Sequence, residues 1–369
     1  MIASCQNPQR RLDARRLFDG MPRGKKAKST APTAPAPAPA GIDALPDGVL
    51  EHILGFLPSP EAVRTCVLAR RWRHLWRNAT GLRVSCLAGG SEGDSGEGPP
   101  SPKRIRDFLE RILLLRGQAP LETFELRFCT FDGDGDDTSC LSRWVQHAVE
   151  CKVRTLRLEN IWVDGFELED RPLVSQLLTR LQLEGLDLKN TFCDFSGCPS
   201  LEHLVIESCE FWDAYKVSSE SLKHLCMTSC IFSKVSSTVI HAPSLVSLRL
   251  DGHLYRAPVL EIMPSLQGAF VRAIHENLDS GYCDDYSGDC DGEDCYSCYG
   301  AVDCNYKCML LEGLSEAENL ALISESKVVC IHFWLQQYTF IFSHYFCCSI
   351  SIQLFASVHS LRFSTIGVL

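Results

Sequence analysis

Apolar residues between positions 42 and 84 recur at the spacing of amphipathic helices. The run from Val49 to Leu57 places apolar side chains three and four residues apart, which predicts a first helix. Asp47 is the candidate N-cap of that helix. Ser59 followed by Pro60 predicts the capped start of a second helix.

A third helix is predicted around Trp72, Leu75 and Trp76, which stand at positions i, i+3 and i+4 of one helical face. Arginines lie between these apolar residues. Two indoles expose more apolar surface than a unit of about 40 residues can bury alone. We therefore expect a partner, or the next domain, to cover part of this face.

A repeat of the form Leu-x-x-Leu-x-Leu, or a close apolar variant, dominates the middle of the chain. Successive copies start 32, 30, 18, 21, 23 and 21 residues apart, at Leu121, Val153, Leu183, Leu201, Leu222, Leu245 and Leu266. Such spacings are typical of leucine-rich repeats, in which each Leu-x-Leu is a short strand with its leucines pointing into the coil. The fold class predicted is α/β: a small three-helix unit followed by a leucine-rich-repeat solenoid.

The remaining segments differ in composition and set the domain boundaries. They are a disordered basic and Ala/Pro-rich arm at 1–40, the helical unit at 41–84, a flexible linker or loop at 85–104, the repeats at 105–275, an acidic Cys-rich loop with a degraded repeat at 276–326, and an irregular, apolar, divergent tail at 327–369.

Length and charge narrow the function classes. The 369 residues suggest about two globular units. Lys and Arg total 36 against 46 Asp and Glu, and the net charge of −10 argues against a nucleic-acid partner. The 20 cysteines form no compact framework and no secretory signal opens the chain, so we expect a reducing compartment, the nucleus and/or the cytoplasm.

Two motifs resemble metal sites. The acidic run at 132–136 fails the EF-hand template, because Asp137 and Arg143 stand where glycine and glutamate are required. The cysteines between Cys283 and Cys308 approach zinc-ligand spacing, with an unusually short middle loop. A zinc site and a mobile acidic loop both stay open there, and we predict no metal and no cofactor.

The helical unit closely resembles an F-box of the plant branch. The resemblance rests on the opening Leu45-Pro46, the helix Ile53-Leu54-x-x-Leu57, the run Arg64-Thr65-Cys66-Val67-Leu68-Ala69-Arg70-Arg71-Trp72, and the closing Leu75-Trp76. The repeats that follow resemble those of plant F-box proteins with leucine-rich repeats, so that the similarity extends over residues 42–326.

This resemblance implies a non-catalytic substrate-recognition subunit of a Skp–cullin–F-box ubiquitin ligase. The F-box would bind the Skp adaptor, and through it cullin, while the repeats hold an unknown target protein. Apolar anchors and basic residues suit an acidic adaptor groove. The predicted adaptor-binding residues are Leu45, Pro46, Ile53, Leu54, Leu57, Arg70, Arg71, Trp72, Leu75 and Trp76. The sequence does not show which of them instead hold the helices together.

The outward residues of the repeat strands are the candidates for target binding, since this face is the usual binding surface of a solenoid. The predicted target-binding residues are Arg157, Asp187, His203, Val205, His224 and Arg249. The alternative is a plain solvated face.

A rival function is an interaction scaffold unconnected with ubiquitin, anchored to a membrane by its tail. Residues 328–358 lack Asp, Glu, Lys and Arg and could span a bilayer. Gln, His, Ser and Cys dilute the apolarity of this stretch, and neither an aromatic belt nor a basic flank marks its ends. We therefore expect no membrane partner, and interpret the tail as a divergent or aberrantly spliced end.

Overall fold

The computed structural model describes residues 41–86, 102–129, 137–161, 165–232, 238–253, 258–274, 313–314, 316–324, 352–357 and 360–365. The basic arm, most of the linker, the acidic run at 132–136, the cysteines from Cys283 to Cys308 and most of the tail lie outside these residues. Within them, no helix is long and apolar enough to cross a membrane.

The N-terminal unit is built from short helices. Helix α1 spans Asp47–Leu54 and α2 spans Ser59–Arg64. Four 3₁₀ segments complete the unit, at Gly41–Ala44, Thr65–Val67, Arg71–Arg73 and Leu75–Asn78.

The prediction of a continuous third helix is wrong, because two 3₁₀ segments replace it. The Trp76 indole Nε1–H donates to the Arg73 carbonyl at 3.1 Å, which takes the acceptor that an α-helical Arg77 N–H would need. The Arg77 N–H donates instead to the His74 carbonyl at 3.0 Å. Trp72 and Trp76 are both buried all the same.

Both predicted N-caps are also wrong. Asp47 and Ser59 are the first residues of α1 and α2, and the caps are the preceding prolines, with no side-chain capping bond. The buried Ser59 hydroxyl accepts the Arg83 backbone N–H at 2.9 Å, so it joins the helical unit to the first strand. The Asp47 carboxylate accepts from the Arg71 Nε–H at 2.6 Å.

The solenoid is built on an eleven-stranded sheet, whose first nine strands pair in parallel and whose last two are antiparallel. In order, its strands are β1 Gly81–Ser85, β2 Thr123–Phe128, β3 Thr155–Asn160, β5 Arg180–Glu184, β7 His203–Glu207, β10 His224–Thr228, β13 Ser247–His253, β15 Gly268–Ile274, β16 Asn319–Ser324, β17 Ile352–Ser357 and β18 Ser360–Thr365.

Two small parallel sheets form further sides of the coil. The four-stranded sheet contains β4 Phe166–Glu167, β6 Leu186–Lys189, β8 Glu210–Asp213 and β11 Ile231–Phe232. The three-stranded sheet contains β9 Lys216–Ser218, β12 Val239–His241 and β14 Val259–Leu260. Helix α3 Pro102–Arg116 lies between β1 and β2, ahead of the first repeat, and α4 Asp137–Glu150 lies between β2 and β3, in the first of the two long repeats.

The repeat prediction is confirmed for the fold, with one copy out of phase. The copy predicted at Leu183, Leu186 and Leu188 is wrong: the strand of the long sheet uses Leu178, Leu181 and Leu183, all buried. Gly185 turns the chain out of that sheet with φ +68°, and its carbonyl accepts from the Asn160 amide at 3.0 Å. A Cβ there would approach the Asn160 carbonyl to 2.7 Å, so only glycine fits.

One hydrophobic core joins the helical unit to the solenoid. Leucines alternate inward along the parallel strands, as expected for stacked coils that share a core. At the junction the Arg116 guanidinium, 8% exposed, donates to the carbonyls of Trp76 at 3.0 Å and Ala79 at 2.8 Å. Burial lowers the pKa of Arg116 to about 10.

Candidate functional site

The predicted adaptor-binding residues divide by burial. Leu54, at 1% exposed, lies in the core together with Trp72, Leu75 and Trp76. Leu45, Ile53 and Leu57 are half-buried, whereas Pro46, Arg70 and Arg71 are exposed. The four core residues hold the helical unit together. While the unit stays folded, only the half-buried and exposed residues can contact a partner.

Other apolar side chains on the same unit are exposed and were missed by sequence reasoning. Val67 is 69% exposed and Leu68 is 67% exposed, and the remaining ones are Ile42, Val49 and Phe56. A signal was present, because Val49 and Ile53 form a second apolar stripe on α1 beside the one formed by Leu50 and Leu54. A helix with two apolar stripes can bury one stripe and present the other.

The basic residues of this unit differ in their partners. The Arg71 guanidinium pairs with the Asp47 carboxylate and also donates to the Leu45 carbonyl, so it fastens the start of α1 to the 3₁₀ segments. Arg70 and Arg73 are exposed, and neither forms an ion pair with another residue that the structure describes. Those two exposed cations are therefore available to a partner.

The second candidate surface is the open face of the long sheet, which carries three rows of outward side chains in strand register. From β2 to β13 the first row is Thr123, Thr155, Arg180, His203, His224 and Ser247. The middle row is Glu125, Arg157, Gln182, Val205, Cys226 and Arg249, and the last row is Arg127, Glu159, Glu184, Glu207, Thr228 and Asp251.

Five of the predicted target-binding residues lie in these rows, and Asp187 does not. Asp187 belongs to β6 in the four-stranded sheet, where it pairs with Glu167 and Glu210. The out-of-phase repeat produced this misplacement. Arg180, Gln182 and Glu184 hold the corresponding positions of the open face.

Ion pairs neutralise the two ends of the open face. At one end the nearly buried Glu159 accepts from Arg127 Nε at 2.7 Å and from Arg157 Nη2 at 2.9 Å, and Arg157 also reaches Glu184 at 3.3 Å. At the other end Asp251 accepts from Arg249 at 2.7 Å and from Arg272 at 2.6 Å. These charges are already paired within the protein.

The centre of the open face carries a different arrangement. The imidazoles of His203 and His224 stack with centroids 4.6 Å apart. The pKa of His203 is lowered by partial burial and then by the neighbouring Arg180 and His224. Glu207 is exposed and forms no ion pair with any described residue. The pKa of Glu184 is raised by partial burial and then by the neighbouring charges of Glu159 and Glu207. The centre therefore presents a pair of stacked imidazoles beside Arg180 on one side of Val205 and the carboxylates of Glu184 and Glu207 on the other side.

Chemically, both surfaces are suited to binding a protein. In the described part of the chain, no group of three or more His, Cys, Asp or Glu residues is arranged to hold a metal ion.

Comparison with known proteins matches residues 42–81 to the F-box domain family. The chain is 30% identical over 236 residues to the F-box/LRR-repeat protein At4g14096 of Arabidopsis thaliana, covering 56% of this chain and 49% of the relative. It is 36% identical over 220 residues to the MEIOTIC F-BOX protein MOF of Oryza sativa subsp. japonica, covering 56% of this chain and 44% of that protein. The chain thus spans about half the length of these curated relatives. It carries an F-box domain and is moderately similar to plant F-box/LRR-repeat proteins.

Proposed function

We propose that this chain, with an F-box domain ahead of a leucine-rich-repeat solenoid, is the substrate-recognition subunit of a Skp–cullin–F-box ubiquitin ligase. The observation that carries the proposal is the F-box match at residues 42–81 together with the exposed apolar side chains on that unit. In this role the chain is not catalytic. It brings a target lysine close to a ubiquitin-loaded enzyme supplied by other subunits, in the nucleus or the cytoplasm.

The adaptor interface in this proposal consists of outer residues. Val67, Leu68 and Pro46 supply exposed apolar surface, and Arg70 and Arg73 supply charge for an acidic adaptor. Leu54 and the two tryptophans act indirectly, because they shape the unit from its core. This division favours surface variants over core variants as tests.

The test is co-purification of the full chain with a Skp-type adaptor and cullin. The double variant V67D/L68D should lose both partners, since it buries two carboxylates in an apolar contact. The control is L114D on α3, because Leu114 is 68% exposed and lies outside the F-box. Undiminished recovery of the adaptor with folded V67D/L68D would contradict the proposed interface.

We propose that the target binds at the centre of the open face, around Val205 and the stacked His203–His224 pair. The support is a difference in charge pairing along this face. Ion pairs neutralise the charges at its two ends, whereas at its centre Glu207 is exposed and forms no ion pair with a described residue. A photo-crosslinking side chain at position 205 should capture ubiquitinated proteins, and one at the exposed Ile262 should not. Capture at position 205 without any adaptor binding would instead favour a scaffold unconnected with ubiquitin.

A further inference from the structure

A third surface lies on the outward side of the four-stranded sheet and combines exposed aromatic rings with carboxylates. Trp212, on β8, is 41% exposed, and Tyr215, in the turn after β8, is 52% exposed. We call this surface the lateral patch, and its members are Glu167, Asp187, Lys189, Glu210, Trp212, Asp213 and Tyr215. It belongs to a different sheet from the open face.

Carboxylates outnumber cations on the lateral patch. Strand register sets Glu167, Asp187 and Glu210 side by side on β4, β6 and β8. The one ammonium group among the patch members, on Lys189, is shared between Glu167 at 2.8 Å and Asp213 at 3.5 Å. Burial, followed by the neighbouring Glu210 and Glu167, raises the pKa of Asp187. The patch therefore carries an excess of negative charge.

Hydrogen bonds hold the aromatic side of the patch in place. The Trp212 indole N–H donates to the Glu210 carboxylate, which orients the ring beside that charge. The Asn190 side-chain oxygen accepts the backbone N–H groups of Tyr215 and Lys216, each at 3.2 Å, and so fixes the turn between β8 and β9. An ordered exposed indole beside carboxylates loses little freedom when a ligand binds.

We propose that the lateral patch binds an arginine side chain presented by an exposed segment of a partner protein. A planar guanidinium can stack on the Trp212 ring while it donates to carboxylates such as Glu210 and Asp213. Arginine suits this geometry better than lysine, because an ammonium is compact and strongly hydrated. The negative charge repels nucleic acids and anionic lipid surfaces, which leaves a basic protein segment as the occupant. This proposal does not depend on the ubiquitin-ligase role.

The test uses the full chain and a peptide that contains one arginine flanked by glycines and is labelled with an uncharged dye. Anisotropy measures affinity, and the NMR signal of the Trp212 indole N–H reports the place of binding. W212A and E210Q/D213N should each bind about fivefold more weakly, in line with exposed cation–π and ion pairs. The control E316Q/E318Q removes two exposed carboxylates elsewhere and should bind like the wild type. Replacing the arginine by its neutral analogue citrulline should abolish binding.

The proposal would be overturned if the arginine peptide bound without moving the Trp212 indole signal, or if E316Q/E318Q weakened binding as much as E210Q/D213N does. It would also be overturned if the citrulline peptide bound with the same affinity as the arginine peptide. Binding of a single-stranded oligonucleotide or of phosphatidylserine vesicles at Trp212 would also overturn it. The thermal midpoint of each variant checks folding. If E210Q/D213N unfolds, the single variant D213N takes its place.

Discussion

Arg116 is expected to stabilise the junction between the F-box and the solenoid, and the substitution Arg116→Met tests this. Its guanidinium is buried and donates to the carbonyls of Trp76 and Ala79 at 3.0 and 2.8 Å. Methionine keeps most of the apolar stem, so the change removes the two hydrogen bonds and leaves only a small cavity. The Trp76 and Ala79 carbonyls then lose these donors.

The magnitude follows from two opposing contributions. A hydrogen bond from a charged donor contributes about 1.5–3 kcal/mol, so the pair contributes about 3–6 kcal/mol. Burial opposes this gain, because a guanidinium whose pKa is lowered to about 10 costs about 3 kcal/mol to keep charged in the folded state. The difference is about 0–3 kcal/mol, and the two carbonyls left without a donor place the loss in the upper part of that range, so we expect Arg116→Met to lower the free energy of unfolding by about 2 kcal/mol.

Urea denaturation followed by tryptophan fluorescence measures this loss, since Trp72 and Trp76 lie in the affected unit. The matched control is Arg111→Met, an exposed arginine on the same helix, which should change the free energy of unfolding by less than about 0.5 kcal/mol. The loss of unfolding free energy for Arg116→Lys should lie between the losses for Arg116→Met and Arg111→Met, because one ammonium group cannot make the two hydrogen bonds in the planar geometry of a guanidinium. Equal stability of Arg116→Met and Arg111→Met would refute the reasoning.

Three further predictions concern single positions. Gly185→Ala should destabilise the protein by about 1–3 kcal/mol, and by more than the control Gly117→Ala. Both glycines have positive φ, but of the two only Gly185 would bring a Cβ against backbone, at 2.7 Å from the Asn160 carbonyl oxygen. Urea denaturation midpoints compare the two variants, and equal losses of stability would contradict the steric reason. Hydrogen bonds that the imidazole donates to the Glu220 and Glu261 carboxylates raise the pKa of His241. The stability it contributes is therefore complete below the unfolded-state pKa of about 6.5 and is lost as pH rises through the folded-state pKa. The thermal midpoint of His241→Gln should therefore fall further below wild type at pH 6 than at pH 8.5, and a pH-independent difference would contradict this. Leu54→Asp should unfold the F-box, because it places a carboxylate in the core; a native near-ultraviolet circular dichroism spectrum would count against that burial.

Part of the candidate site could be predicted from sequence, because local patterns are enough to specify it. The period-two alternation of Leu204 and Ile206 predicts that Val205 points outward, and β7 has this arrangement. The identities of the outward residues follow once the phase of each repeat is known. Where the phase was wrong, at Leu183, the prediction placed Asp187 on the wrong sheet.

The sequence by itself determined the F-box pattern, the class of solenoid and the direction in which most strand residues face, since these depend on neighbours along the chain. Only the tertiary structure decided which of two overlapping leucine triplets enters the long sheet, because Leu183 fits both and the turn at Gly185 selects one by packing against Asn160. It also decided that Leu54 is core and Val67 is surface. Burial and cross-strand ion pairs depend on contacts between residues far apart in the chain, and periodicity carries no information about those contacts.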